Sequence, residues 1–289
     1  MVFLRPFYLF LLAVSGILDV TTKATPEVVT SFTIPNEWVG RLTGGQVAHS
    51  ALIPSGGELH GYQLSTPDAR LLSKAKLIVG INPELEPWLA DWVKAHQRES
   101  AMLWLSPGKL VAGSHTWIVP AEVRAMVQRL TAALKQQPTL AGLVTENNIH
   151  QVLTEVSVVD YELRAAFAKL PPDQRAFITQ HPGIEAFAQC YGLRVAGTIL
   201  DNAAAESADP SARHFAALAK IIRTERIRVI TCDAGQSHRL ADQLARDTQL
   251  APPTELCFEY LQRAGTPGDT WATLMRLNAQ RLCDALQTK

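Results

Sequence analysis

Neither sign of charge is in surplus: lysine plus arginine and aspartate plus glutamate number 27 each, for a formal net charge of zero. A chain without a net field carries no electrostatic footprint for nucleic acid or for an anionic membrane surface, so neither is expected as a partner. Long apolar runs are missing too. The stretch from Phe7 to Leu18 falls short of the roughly 18 residues that a bilayer-crossing helix needs. The four cysteines, Cys190, Cys232, Cys257 and Cys283, include no CxxC pair, which makes them poor zinc ligands. No glycine-rich phosphate loop and no GxSxG element occurs. Ser65 or Ser114 beside a histidine makes no catalytic triad without a placed acid. Repeats and low-complexity segments are absent as well.

What is present begins with a leader. Arg5 precedes the apolar run, and small and polar residues follow up to Ala24. Residues 1–24 are therefore expected to be a cleaved secretory signal, with Thr22-Lys23-Ala24 as the cleavage site. No cysteine lies near it, so a lipid anchor is not expected, and in a Gram-negative source the mature protein would be soluble in the periplasm. In that oxidising compartment four cysteines allow three pairings. Cys232 with Cys283 is the expected disulfide, and Cys190 and Cys257 read as small buried hydrophobes.

With 289 residues and 47% hydrophobic side chains, the chain can bury a large core and form two domains. From Val28 to Ser106 it alternates expected strands (Val28–Phe32, Val47–Ile53, Leu77–Gly80, Met102–Leu105) with expected helices (Asn36–Leu42, Pro67–Ser73, Glu84–His96), which is βαβ grammar. Thr66-Pro67 reads as an N-cap followed by proline at the first helical position. Between Pro120 and Leu170 apolar residues recur at helical spacing. Two helices broken at Pro138 fit, the second of roughly thirty residues, or about 45 Å. After Arg175 the alternation returns: strands at Ala176–Thr179, Arg194–Thr198, Ile227–Cys232 and Glu255–Tyr260, and helices at 183–191, 210–223, 237–247 and 270–286. Asp209-Pro210 repeats the cap-plus-proline start. The expected fold is α/β, two Rossmann-like lobes with parallel sheets joined by one long connecting helix: residues 25–138, 139–170 and 171–289.

Three histidines sit in separate loop-to-helix junctions: Glu58-Leu59-His60-Gly61-Tyr62, Ser114-His115-Thr116-Trp117 and Gln180-His181-Pro182-Gly183. In open α/β sheets ligands lie beyond the carboxyl ends of strands, which is the kind of position all three occupy. The same rule selects two acids, Asp233 and Glu259. Three imidazoles and one carboxylate from distant segments would make a closed tetrahedral cage. His49, His96, His150, His214 and His238 lack such frames and read as solvent-facing or structural. Tyr62 and Trp117 fit either a wall of the site or the core.

At this point the chain resembles the periplasmic metal-binding proteins of zinc and manganese ABC importers, zinc-type branch. The resemblance runs from about Val28 to the C-terminus. It rests on His60-x-Tyr62-x-x-Ser65-Thr66-Pro67-Asp68, on His115-x-Trp117-x-x-Pro120, on Glu86-Pro87-Trp88-Leu89, and on Asp269 with Leu274-Met275-Arg276-Leu277-Asn278. It implies His60, His115, His181 and Glu259 as metal ligands, with Asp233 lining the site, and a metal site in the interlobe cleft. It also implies an inner-membrane ABC permease as partner, a monomer and no enzymatic activity. The chain departs from the family at Glu58-Leu59 and Gly113-Ser114, where Asp-Pro is usual, and at Val119, where an acid is usual. It also lacks the histidine-rich insertion between His60 and His115. Three imidazoles and one carboxylate suit Zn2+ as the transported ion, ahead of Mn2+ or Fe2+, because manganese favours more oxygen donors. A secreted zinc hydrolase is the runner-up, and a catalytic zinc would need an open coordination position.

Overall fold

The computed structural model describes residues 25–110, 115–200 and 210–288. The leader, the Gly113-Ser114 pair and Asp209 lie outside the described residues. In the first half, strands β1 (Val28–Phe32), β2 (His49–Ile53), β3 (Leu77–Gly80) and β4 (Met102–Trp104) form one parallel sheet in the order β2-β1-β3-β4. β1 and β3 are buried at every position, as central strands covered on both faces must be. The covering helices are α1 (Thr33–Leu42), α2 (Thr66–Lys74) and α3 (Pro87–Ala95). α1 starts three residues earlier than the sequence suggested, because Pro35 falls in its first turn, where a missing N–H costs nothing. α2 is capped one residue earlier as well. Ser65, not Thr66, accepts from the Asp68 amide, and the Asp68 carboxylate accepts from the Ser65 amide, a capping box.

Helices α4 (Pro120–Gln136) and α5 (Glu146–Ala168) follow. α5 has 23 residues rather than roughly thirty, about 35 Å of rod, since Thr145 caps it by accepting from the Asn148 amide and a single 3-10 turn fills Ala141–Leu143. The second half pairs β5 (Ala176–Thr179) with β6 (Arg194–Thr198), and β7 (Thr231–Asp233) with β8 (Thr254–Leu256), both in parallel. A parallel bridge from Ile178 to Ile230 and the bond from the Ile178 amide to the Val229 carbonyl stitch these pairs together. The order β6-β5-β7-β8 thus repeats that of the first sheet. Helices α6 (Glu185–Cys190), α7 (Ala212–Glu225), α8 (Arg239–Thr248) and α9 (Trp271–Gln287) complete the chain. Ser211 caps α7. β8 stops well before Tyr260 because the buried Asn278 side chain on α9 takes both the amide and the carbonyl of Cys257 out of the ladder.

One core runs through both halves, from Val28 and Trp38 through Val127, Val156 and Phe177 to Leu282. Helices α4, α5 and α9 therefore share packing with both sheets. The four cysteines are free thiols. The expected Cys232–Cys283 disulfide is not formed, because Cys232 on β7 lies in the hydrophobic cluster of Ile178, Leu218 and Leu244 whereas Cys283 on α9 lies in the main core.

Glu86 is fully buried, and its Oε2 accepts from the amides of Ile81 and Asn82 at 2.5 and 3.1 Å. Burial pushes its carboxyl up to about 7, and the hydrogen bonds only partly offset this. With a folded pKa above the unfolded one, the native state binds the extra proton between roughly pH 4.5 and 7, so stability falls as pH rises through that window. Glu86→Gln is neutral at all pH. The difference in unfolding free energy, variant minus parent, is expected to grow in the variant's favour by about 3 kcal/mol from pH 4.5 to 8. Urea melts at those two pH values measure it, and a constant difference would mean that the buried carboxyl does not titrate there.

Candidate metal centre

Every candidate side chain lies at or past the carboxyl end of a strand. His60 is on the connection from β2 to α2, His115 follows β4, His181 follows β5, Asp233 ends β7, and Glu259 stands three residues beyond β8. Asn278 holds the backbone of Cys257, two residues before Glu259, outside the β8 ladder. His115, His181 and Glu259 are buried, and the His60 side chain is nearly so.

The structure brings His60, His115 and Glu259 together, with one donor atom from each within 4.8 Å of the others. The Nε2 atoms of His60 and His115 are 3.2 Å apart, and they lie 3.0 and 3.5 Å from Glu259 Oε1. His181 stands a little outside this triple. Its Nε2 is 3.7 Å from the same oxygen, its ring 5.9 and 6.0 Å from those of His60 and His115. An ion bound at about 2.0–2.2 Å by four tetrahedral donors separates those donors by about 3.3–3.6 Å. The contacts of 3.0 to 3.5 Å within the His60, His115 and Glu259 triple are close to that spacing, and His181, 3.7 Å from Glu259 Oε1, has to move inward to complete a closed cage. Asp233 takes a different place. Its Oδ2 lies 3.5 Å from His181 Nδ1, behind the ring.

Electrostatics sorts the acids in the same way. Burial works to raise Glu259, yet the hydrogen bond from His60 and the neighbouring imidazoles outweigh it and hold the carboxyl down at about 2. Asp233 goes the other way, pushed well above the usual carboxylate range by burial and by the Glu259 charge. His115 is driven down to about 3, chiefly by burial, with Glu259 opposing and His60 and His181 adding to the shift. A neutral His115 beside an ionised Glu259 is the protonation state that a divalent cation requires.

Two indoles tie the halves of the site to each other. Trp117, fully buried, stacks on His115 at 4.7 Å and donates to the Phe258 carbonyl at 2.6 Å, next to Glu259. Trp271, at the start of α9, donates to the Trp117 carbonyl at 2.7 Å. Trp117 is thus both core and wall. Tyr62 turns away from the cluster, bonding Asp68 and packing edge-on against Trp88. Among the other histidines, His49 bonds Asn36, His96 stacks on Trp92, and His214 meets the Thr198 carbonyl, all outside the cluster. Sequence reasoning missed Gln236, whose amide reaches His181 Nε2 at 3.2 Å. No local pattern marks it, because only the β7–α8 turn brings it there.

Two parallel α/β lobes spanned by packed helices, with buried imidazoles and a carboxylate at the facing strand ends, define the class of two-lobed periplasmic metal-binding receptors. The family described as zinc-uptake complex component A, periplasmic (ZnuA), matches residues 28–285, and this chain belongs to it. The high-affinity zinc uptake system protein ZnuA of Paracoccus denitrificans is 24% identical, covering 98% of this chain and 99% of its own length. The iron-binding protein YfeA of Yersinia pestis is 22% identical over 89% of this chain and 85% of its own. The periplasmic zinc-binding protein TroA of Treponema pallidum superposes with a TM-score of 0.80 at 19% identity, covering 91% of this chain and 100% of its own. Membership of an uptake family removes the hydrolase reading, and the chain is a binding component, not an enzyme.

Proposed function

We propose that this protein captures Zn2+ in the periplasm with His60, His115, His181 and Glu259 and delivers it to an inner-membrane ABC permease. The observation that carries the reading is the set of imidazole nitrogens around one Glu259 oxygen at 3.0 to 3.7 Å. Four protein donors close the coordination sphere, which suits capture rather than catalysis. The zinc named for the Paracoccus relative supports the choice of ion, and the iron named for the Yersinia relative keeps Fe2+ as the alternative to beat, beside the Mn2+ that the sequence also allows. Residues 1–24 are assigned to the secretory signal, residues 25–138 and 171–289 to the lobes, residues 139–170 to the connector, and the working unit to a monomer. Among the described residues no helix is long and apolar enough to cross a membrane.

The shared core and the rod of α5 resist hinge bending, so loading and release proceed by small shifts of the ligand loops. The deciding measurement is elemental analysis of protein purified from periplasm without added ions. One zinc per chain is the expected result, and one manganese or iron instead would replace zinc as the cargo. Crystals with and without metal should superpose lobe on lobe, and a large rigid-body closure would count against the rigid connector.

A further inference from the structure

The Gln180 side chain donates through Nε2 to Gln236 Oε1 at 3.2 Å and to the Ser237 carbonyl at 3.3 Å. A backbone carbonyl can only accept, so the nitrogen end of Gln180 must face this pair. Gln236 must then present its oxygen to Gln180 and its NH2 to His181 Nε2, 3.2 Å away. His181 Nε2 in turn must accept, which leaves the ring proton on Nδ1, the nitrogen 3.5 Å from Asp233 Oδ2. Hydrogen positions thus follow in a chain from one carbonyl oxygen. The outcome is that the lone pair of His181 points where a cation would need it, and an amide N–H already occupies it.

We infer that Gln236 is a placeholder for the metal: its amide holds His181 in the ligating tautomer in the empty protein and must let go when the ion binds. This rests on the reading of His181 as a ligand. The turn that carries Gln236 is itself firmly built. The Gln236 amide donates to the Asp233 carbonyl, the Ala234 amide to the Leu256 carbonyl, and His238 Nε2 lies 3.1 Å from the Asp233 carbonyl. Gly235 sits at φ +84°, and a Cβ there would come within 3.1 Å of the Tyr260 hydroxyl. A backbone pinned in this way can yield by a rotation of the Gln236 side chain without moving the loop. The placeholder also accounts for the position of His181 just outside the His60, His115 and Glu259 triple. A ring hydrogen-bonded to Gln236 stops short of the ion's position and completes the cage only on exchange of partners.

A competing hydrogen bond in the empty state lowers affinity by its own net worth, so its removal should tighten binding. Gln236→Met keeps the volume and removes the donor. Its zinc affinity, measured by titration of the free ion against a competing chelator, is expected to rise roughly two- to tenfold. In the metal-free variant the 15N resonance of His181 Nε2 should move toward that of an unbonded lone pair, a change that general loosening of the loop would not produce. In a His181→Ala background the Gln236→Met effect should vanish. Unchanged or weaker affinity in Gln236→Met, with an unmoved Nε2 resonance, overturns the placeholder. If His181→Ala alone leaves zinc affinity unchanged, the fault lies instead with the choice of His181 as a ligand.

Discussion

Glu259→Ala is expected to lower zinc affinity by two to three powers of ten, and Asp233→Ala by about one. Structural zinc sites bind with apparent free energies of about 10–16 kcal/mol, or about 2.5–4 kcal/mol for each of four ligands if shared equally. Glu259 Oε1 is the atom toward which the imidazole nitrogens of His60, His115 and His181 turn, at 3.0, 3.5 and 3.7 Å. Its loss would remove the carboxylate held ionised inside the cluster and leave three imidazoles facing one cation. Asp233 instead stands behind His181 Nδ1 at 3.5 Å, the place of a supporting carboxylate rather than a ligand, and removal of such a support typically costs about tenfold to a hundredfold. Calorimetric titration of both variants with zinc orders them. The reverse order would make Asp233 the ligand and Glu259 its support. His60→Ala and His181→Ala belong with Glu259→Ala in size.

Zinc affinity is expected to fall as pH drops from 7.5 to 5, with no more than two protons released per ion bound. Metal competes with protons for imidazole lone pairs, and three histidines could in principle release three protons below their usual pKa of about 6.5. Burial has already emptied one of them. With its pKa held near 3, His115 is neutral across the whole range and contributes no proton, and Glu259, held near 2, is ionised throughout. The sign follows: a depressed histidine pKa means that the affinity tied to His115 is lost only below about pH 3, not near 6.5. Calorimetry in two buffers of different ionisation enthalpy counts the protons. Three released protons would show His115 exposed to solvent in the empty protein, and a flat affinity over the range would take the histidines out of the cage.

The alternation of elements was legible because the central strands β1, β3 and β5 are parallel and largely buried, so they read as short apolar or β-branched runs. β1, β3, β5 and β6 fall where the sequence places them. The misses have local causes. Caps shifted by a residue or more where serine competed with a neighbouring threonine or aspartate, at Ser65 and Ser211. β8 was overextended because Asn278, more than twenty positions away on α9, intercepts the backbone of Cys257. The expected disulfide failed for the same kind of reason, since cysteine spacing carries no information about which face of a strand or helix each thiol occupies.

The sequence alone determined which chemistry was available: three framed histidines, two acids at strand ends, and two βα runs whose topology puts all five at the carboxyl ends of parallel strands. Hydrophobic period and cap residues are local properties, and a chain of one sequence can display them without folding. Only the tertiary structure placed Glu259 among the three imidazoles and Asp233 behind His181, set His115 apart as the imidazole that burial keeps neutral, and brought Gln236 to Gln180 and His181. Those are matters of distance and desolvation between segments 50 to 200 residues apart, and only packing brings such segments within a hydrogen bond of one another.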